Sequence, residues 1–477
     1  MISARGLPHV YIESAAEISV LLPEVFEHVR CGPGPVFVFA TPAVLENCAP
    51  LALNTLHTPG SVCPPKESAG PISNAEFDAV LNIVNDKDCH ILWQCGLLSD
   101  TERELVYEIS RRAGIALCDS LVHPGSVVSY QNGNKIENYL GTLGLYAFSR
   151  RVYQFLHTDD ELNSKHEQCL FFLKSKADQI STPFSEGKLM RSMFVVQINR
   201  ELRDFAPFTD LKVHMPVAMF LEQLLARLAV NPTVLEKRRR KISALQGVAP
   251  TVPVDRIETV PMTVNYFFYR LALLVENLIV HEGYRYTGVY DVGRSGLSAV
   301  RNIPRTDPGF SGWYGRALMG DALMALPYIA LNSPHHLLVF VGDGAQAVVP
   351  DVEAQLASLL VDDRLIGAKN VSVFYMINGV HSIIQSYLDF RYARHGGKQV
   401  TVHARTLHEG IERRGPLTIC RQVLPNFDHK FLYEAMTEPG RLNFFNVLLV
   451  HNSSGDGMSL ASETTWSRTA CMEESVQ

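Results

Sequence analysis

Hydrophobic and polar positions divide this chain into two regions in which short apolar segments alternate with amphipathic ones. Apolar runs of strand length, bounded by polar or glycine-containing turns, alternate in both regions with longer segments whose apolar positions recur every three or four residues. Strands that alternate with helices in this way predict α/β domains with mainly parallel, doubly wound sheets. In the first region the predicted strands are 36–40, 89–96, 171–176 and 193–199.

Helices of the first region are predicted at 102–114 and near 216–229. The first of these has its apolar side chains on one stripe, which a core would bury. The residues of that stripe are Leu105, Val106, Ile109 and Ala113.

The second region begins with a long apolar helix and ends with the strands that carry the most informative motif. Its predicted helices are 264–280, 320–331 and 350–360, and its predicted strands are 287–293, one ending in Gly342-Asp343-Gly344 and one ending at Asn378. The turns between them fall at the carboxyl ends of strands, where open α/β sheets bind ligands. A site is therefore expected at that edge of the second sheet.

Residues 231–261 separate the two regions. Five consecutive cations, Lys237 to Lys241, precede three prolines and are poor material for a core, so the segment is predicted to be a solvated interdomain connection. Binding of phosphate or nucleic acid by the basic run is the alternative. The remaining limits are a residual domain end at 1–50, domains at 71–230 and 262–450, and a polar tail at 451–477.

Composition excludes several classes of protein. A chain of 477 residues with 47% hydrophobic and 19% charged residues is globular and long enough for two or three domains. A net charge of −6 argues against nucleic-acid binding, which needs a basic surface. The nine cysteines form no CxxC pair, and neither a signal peptide nor a membrane span is visible, so a cytoplasmic protein with reduced thiols is expected.

The Gly342-Asp343-Gly344 motif has the residue types of a metal and phosphate site. The glycines let the backbone approach a phosphate, Asp343 supplies a hard oxygen ligand suited to magnesium, and Asn378 adds a neutral oxygen. For the tripeptide alone, a simple turn is the alternative. A second copy, Gly455–Gly457, has no strand and helix around it and is predicted to be a loop in the tail.

This combination of strands and turns resembles the cofactor motif of thiamine diphosphate-dependent enzymes. The resemblance implies that Asp343, the Asn378 side chain and the Val380 carbonyl hold Mg²⁺, although Ile377 stands where the family has a first Asn. It also implies that thiamine diphosphate is the cofactor. The cofactor contacts expected around the motif are Gly342, Gly344, Ala345 and His381.

The flanking segments are similar to the acetolactate synthase-like branch of that family. Residues 290–299 resemble the turn that meets the far end of the diphosphate, which would place Gly293, Arg294 and Ser295 there. Residues 316–331 resemble the segment that props the cofactor into its bent form, and Met319 is the candidate wedge or, alternatively, a core methionine.

His381 has two possible roles. It either faces the substrate, or it does not touch the substrate and lies behind the contacting residues or on the surface. Flavin binding, which some relatives of this branch show, has no support because the middle domain lacks a glycine-rich phosphate loop.

The resemblance also implies a missing part. Residues 71–230 resemble the cofactor-free central domain, and residues 18–46 resemble only the end of the pyrimidine-binding domain. The activating glutamate of that domain is not matched by Glu13, Glu17, Glu24 or Glu27. We therefore expect a partner chain that supplies the pyrimidine domain, in a hetero-oligomer.

With that partner, the chain is expected to act on a 2-oxo acid. Decarboxylation would be followed either by release of an aldehyde or by joining to a second carbonyl compound. Two alternatives remain, a non-catalytic subunit that retains the fold for assembly and a standalone module that binds a phosphorylated ligand.

Overall fold

The computed structural model divides the chain into two compact units, Met1–Pro71 and Ile72–Gln477. It describes residues 9–31, 36–41, 44, 74–178, 180–249, 253–314, 317–361, 369–382, 384–385, 401–402 and 407–450. The predicted tail at 451–477, with the second Gly-Asp-Gly copy, lies outside the described residues.

In the described part of the first unit, a helix follows one of two short parallel strands and precedes the other. Strand β1 (His9–Ile12) pairs with β2 (Phe37–Ala40), and helix α1 (Ala15–Cys31) connects them along the chain. The apolar run at 36–40 is thus a strand as predicted, but it pairs only with β1. It is not part of the sheet that contains the strand predicted at 89–96.

The first half of the second unit is built on a six-stranded sheet in which every neighbouring pair is parallel. The order is β12-β11-β10-β3-β4-β7, so the prediction of an α/β fold with a parallel sheet is confirmed. Two short hairpins, β5–β6 and β8–β9, lie outside this sheet. The strands of this half are β3 (His90–Cys95), β4 (Ala116–Ser120), β5 (Tyr130–Gln131), β6 (Asn134–Lys135), β7 (Tyr139–Leu143), β8 (His157–Thr158), β9 (Glu161–Leu162), β10 (Gln168–Leu173), β11 (Phe194–Asn199) and β12 (Leu211–His214).

The helices of this half cover the sheet with apolar stripes. Helix α3 starts with a capping box formed by Ser99 and Glu102 and ends at Gly114, whose φ is +63°. Its predicted stripe is confirmed, since Val106, Ile109 and Ala113 are buried and Leu105 is half-buried. The helices are α2 (Asn74–Asn85), α3 (Asp100–Ala113), α4 (Arg150–Leu156), α5 (Glu186–Ser192), α6 (Val217–Ala226) and α7 (Pro232–Gln246).

Helix α7 differs from the solvated connection expected at 231–261. It buries Val234, Arg238, Ile242 and Leu245, which share one face at spacings of four and three residues. The Arg238 guanidinium donates hydrogen bonds to five backbone carbonyls, so the second cation of the basic run lies in the core. Those carbonyls belong to Ile83, Val84, Lys87, Cys89 and Ala113.

The second half contains a seven-stranded sheet in the order β14-β13-β15-β16-β19-β18-β17. All neighbours in this sheet are parallel except the β17–β18 hairpin at one edge. The strands are β13 (Tyr286–Tyr290), β14 (Phe310–Ser311), β15 (His336–Gly342), β16 (Asn370–Ile377), β17 (Gly410–Arg414), β18 (Leu417–Leu424) and β19 (Arg441–Leu448).

Helices pack against this sheet around two groups of buried apolar side chains. The longest, α8, buries eleven residues, among them Phe267, Phe268 and Leu271. None of the helices in the described part of the chain is both long and apolar enough to cross a membrane. The helices are α8 (Val264–Glu282), α9 (Arg294–Asn302), α10 (Asp321–Asn332), α11 (Asp343–Val348), α12 (Val352–Val361) and α13 (His429–Thr437).

The register of the central strands brings three carboxyl ends together. Tyr290 of β13 lies beside Phe340 of β15, and Gly342 of β15 lies beside Met376 of β16. The turns that follow these three strands therefore share one edge of the sheet, where parallel strands present ligand-binding loops.

Candidate functional site

A cavity of about 330 Å³ opens at the carboxyl ends of β13, β15 and β16. The structure brings every site residue predicted from the sequence to its wall. From the turn after β13 come Gly293, Arg294 and Ser295; before α10 lies Met319; from the end of β15 come Gly342, Asp343, Gly344 and Ala345; and after β16 come Asn378, Val380 and His381.

Asp343 joins the two connections on either side of the cavity. One carboxylate oxygen, Oδ1, accepts a hydrogen bond of 2.8 Å from the backbone N–H of Gly344. The other, Oδ2, accepts from the N–H groups of Gly379 at 2.8 Å and Asn378 at 3.2 Å. The side chain that is expected to bind metal thus also holds the turn after β16 against the start of α11.

Burial raises the pKa of Asp343, because the charged carboxylate is partly removed from water. The three backbone N–H groups and the nearby His381 act in the opposite direction and lower it. A bound cation would act in the same direction as these groups. The environment of Asp343 is therefore one in which positive charge is favourable.

Asn378 is oriented by its own turn. Its Oδ1 accepts a hydrogen bond of 3.2 Å from the N–H of Val380, and its Nδ2 donates to Ser382 Oγ at 2.5 Å. The described residues contain no group of three or more His, Cys, Asp and Glu side chains placed to hold a metal ion. The predicted ligands are one carboxylate, one amide and one carbonyl oxygen, which is not a group of that kind. Metal binding by Asp343, Asn378 and Val380 therefore stays a prediction.

Gly344 lies close to the His381 ring and to Met319. A Cβ atom at this position would lie 2.8 Å from both Cε1 and Nδ1 of His381 and 3.6 Å from Sδ of Met319. Only glycine fits beside the imidazole without a shift. The structure thus places both His381 and Met319 next to Gly344 of the motif, and Met319 is exposed rather than part of the core.

The start of α9 forms another wall. Gly293 precedes the helix with a φ of +128°, a backbone conformation that favours glycine. Ser295 is buried in the first turn, and its Oγ has no hydrogen-bond partner among the described residues. A buried hydroxyl without a partner among the described residues, beside the backbone N–H groups of a helix start, fits one end of a diphosphate. The residues present are compatible with the cofactor that the sequence predicts.

Further wall residues were not predicted. Trp313 lies on the cavity wall within the aromatic, glycine-rich segment at 309–320, and Ser382 follows Asn378 by four positions. The composition of that segment was the available signal for Trp313. No pattern in the sequence singled out Ser382.

Asp291 is a buried carboxylate immediately after β13 that the sequence also did not single out. It accepts hydrogen bonds from the N–H of Gly320 at 3.0 Å and of Val292 at 2.6 Å. Burial raises the pKa of Asp291 to about 6, against the effect of these hydrogen bonds. Through Gly320 this carboxylate positions the segment that carries Met319.

Two family models match parts of this chain. One family model, described as the third domain of the biosynthesis protein PigD, matches residues 76–245. A second, described as the PigD C-terminal domain, matches residues 255–451 and so covers the sheet and cavity described above.

Two curated relatives are named thiamine diphosphate-dependent 3-acetyloctanal synthase PigD. The protein from Serratia sp. (strain ATCC 39006) is 40% identical over 485 aligned residues, which cover 100% of this chain and 55% of the relative. The matches support a thiamine diphosphate-dependent enzyme family. The PigD of Serratia marcescens is 41% identical over 467 residues, 96% of this chain and 50% of the relative. The chain thus spans about half the length of either PigD.

Proposed function

We propose that this chain binds thiamine diphosphate and Mg²⁺ in the cavity of about 330 Å³ and forms the diphosphate-binding part of a 2-oxo acid decarboxylase or carboligase site. The observation that carries the proposal is the joint placement of Asp343, Asn378 and the partnerless Ser295 hydroxyl around one cavity. The two PigD names supply the cofactor chemistry independently.

Each part of the wall has a distinct task in this proposal. Asp343 and Asn378, with the Val380 carbonyl, would hold the metal, and Ser295 with the start of α9 would hold the far end of the diphosphate. Gly342, Gly344 and Ala345 have small side chains or none, so they leave room for the cofactor in the cavity. Met319, which lies in the wall beside Gly344, would support the cofactor.

The bound cofactor would supply the carbanion chemistry for cleaving and forming bonds at a carbonyl carbon. Residues of this chain would fix its position and keep water away, since Trp313, Met376 and Leu449 add apolar wall. His381 would face the substrate or hold a proton near the metal turn. Because both PigD relatives are named as synthases, we favour joining to a second carbonyl over simple decarboxylation.

The two sheets would then be doubly wound central and diphosphate-binding domains of the acetolactate synthase-like branch. A pyrimidine-binding domain with its activating glutamate would complete the site, and we propose that a partner subunit supplies it. The longer PigD relatives contain as much sequence again outside the matched part. We propose that the partner subunit carries a complementary domain of that kind.

The proposal is tested by measuring thiamine diphosphate binding with Mg²⁺ by isothermal titration calorimetry. The 477-residue chain would be used alone and after co-expression with proteins encoded beside it. Asp343→Asn removes the charge at nearly constant size, and we expect at least a roughly tenfold higher dissociation constant because a metal ligand is lost. Asp351→Asn, an exposed position at the start of the next helix, is the matched control.

Thermal unfolding of both variants separates a binding effect from a folding effect. Equal cofactor affinity in Asp343→Asn and the parent chain would contradict the assignment of Asp343 as a metal ligand. Binding without activity in any co-expressed complex would leave the cofactor site standing but contradict the proposed catalytic role.

A further inference from the structure

A second cavity, of about 320 Å³, lies between the two sheets of the larger unit. Its wall comes from β7 and the start of α4 in the first half and from α8 and the end of α9 in the second half. It shares no lining residue with the cofactor cavity. It is therefore a separate site candidate within one compact unit.

The charged residues that line this cavity are mostly cations. The described lining contains one carboxylate, Glu276, which accepts a hydrogen bond from the hydroxyl of Tyr130. This concentration is local, since the chain as a whole has a net charge of −6. The cations are Lys135, Arg150, Arg151, Arg256, Arg301 and Arg305.

These cations are not equivalent. Arg305 forms an ion pair of 2.7 Å with buried Asp119, so its charge is balanced within the protein. Arg151 donates to the carbonyls of Val248 at 3.0 Å and Gln246 at 3.2 Å. These carbonyls fix the position of the guanidinium. Burial lowers the pKa of Arg151, and the nearby carboxylates of Glu276 and Glu137 act in the opposite direction, so part of its charge is balanced. Arg151 is thus a positioned cation in the wall of a half-enclosed space.

We propose that this cavity binds a small oxyanion with at least two negative charges, such as a phosphate ester or a polycarboxylate. Planar guanidinium groups bind phosphate and carboxylate oxygens through paired hydrogen bonds, which suits them to this ligand class. Arg151 and Arg301 contact the anion from the wall, and the exposed Lys135 and Arg256 attract it at the opening. The inference does not rest on the proposed cofactor chemistry.

The place of this cavity gives the anion a connection to the cofactor site. Val300, Arg301 and Asn302 of its wall are the last residues of α9, whose first residues are Arg294 and Ser295. A helix of this length is about 13 Å long. The two cavities therefore lie at opposite ends of one short helix.

The test is calorimetric titration of the full chain with inorganic pyrophosphate and, separately, with citrate. The double variant K135Q/R256Q removes two exposed charges at the opening and is expected to raise the dissociation constant of the bound probe at least about tenfold. The matched control K212Q/R413Q removes two exposed cations that do not line the cavity. Ser295→Ala, in the cofactor cavity, is a second comparison.

Binding of both probes supports a general oxyanion site, and binding of pyrophosphate alone supports a phosphate site, provided that K135Q/R256Q weakens it and K212Q/R413Q does not. Pyrophosphate bound in the cofactor cavity would instead be weakened by Ser295→Ala. Three outcomes overturn the proposal: no binding of either probe at millimolar concentration, equal weakening in K212Q/R413Q, or a loss confined to Ser295→Ala. Thermal unfolding of each variant verifies that it is folded.

Discussion

Asp119 at the end of β4 and Arg305 beyond α9 form an ion pair of 2.7 Å in which both side chains are buried. The pair joins the two halves of the larger unit. Thr142 completes it, since its hydroxyl donates to Asp119 at 2.6 Å. The Arg305 guanidinium also donates to Thr142 and Tyr139, so the charge on each partner is surrounded by hydrogen bonds.

We expect Asp119→Asn to lower the free energy of unfolding by about 3–5 kcal/mol, because a buried guanidinium loses its counter-charge. Urea denaturation followed by circular dichroism measures the change. The control is Asp78→Asn, whose pair with Arg227 is also 2.7 Å but half exposed, and there we expect below about 1 kcal/mol. Equal effects of the two substitutions would show that burial does not govern this pair.

We expect Arg238 to stabilise the first half of the larger unit about as strongly as Asp119 stabilises the contact between the halves. Arg238→Met keeps the apolar stem but leaves five carbonyls without their donor, and we expect a loss of about 3 kcal/mol or more in the free energy of unfolding. Arg240→Met, two positions away and exposed, should change it by less than about 0.5 kcal/mol. A tolerant response at 238 would contradict the buried network.

The buried positions of Arg238 and Arg305 were not predicted from the sequence. A run of five cations indicates solvent by composition, yet the spacing of Val234, Arg238, Ile242 and Leu245 is helical, so a periodicity argument could have found the buried face. The pairing of Asp119 with Arg305 spans 186 positions. No local pattern predicts such a contact.

The cofactor cavity was more predictable because its residues follow strands. Asp343 and Asn378 come directly after apolar runs, and parallel neighbours place such positions at one edge. Trp313 reaches the cavity through the path of a loop, and Asp291, although it follows β13 directly, supports the cavity through its contact with Gly320 of the next loop. Loop paths depend on tertiary packing, which a single sequence does not reveal.

Gly344 gives a prediction that depends on shape alone. Gly344→Ala should lower the free energy of unfolding by about 1–3 kcal/mol, because the new methyl group meets the His381 ring at 2.8 Å. Adding His381→Ala should restore part of this loss in a double-mutant cycle. Gly342→Ala is the control, since its Cβ would meet Ser295 Oγ at an ordinary 3.7 Å. If the two glycine variants were equally destabilised, the close approach at Gly344 would not be the cause.

Ser295 separates stability from binding. Because its Oγ has no partner among the described residues, Ser295→Ala should leave the free energy of unfolding unchanged or raise it. In the proposed function the same change should weaken thiamine diphosphate binding by roughly three- to tenfold, as one hydrogen bond is lost. Denaturation and calorimetry on the same preparation decide between a structural and a ligand-binding serine.

Asp291 predicts a pH dependence. Its pKa is about 6 in the folded chain and about 4 in the unfolded chain, so the folded state favours the protonated carboxyl. Its contribution to stability is greatest below pH 4 and is lost as the pH rises through about 6, by roughly 3 kcal/mol at most. The free energy of unfolding of the parent chain relative to Asp291→Asn should therefore fall over this range. A constant or rising difference would contradict the buried, raised pKa.

Helix α9 makes the two cavities mechanically dependent on each other. It is a helix of nine residues that starts at the wall of one cavity and ends at the wall of the other, and its last turn is held by Arg305, whose guanidinium donates to the Val300 carbonyl and pairs with Asp119. Because a short helix moves as one body, a shift of its last turn also displaces its first turn. Engineering of the cavity between the sheets will therefore also change the position of the Ser295 hydroxyl.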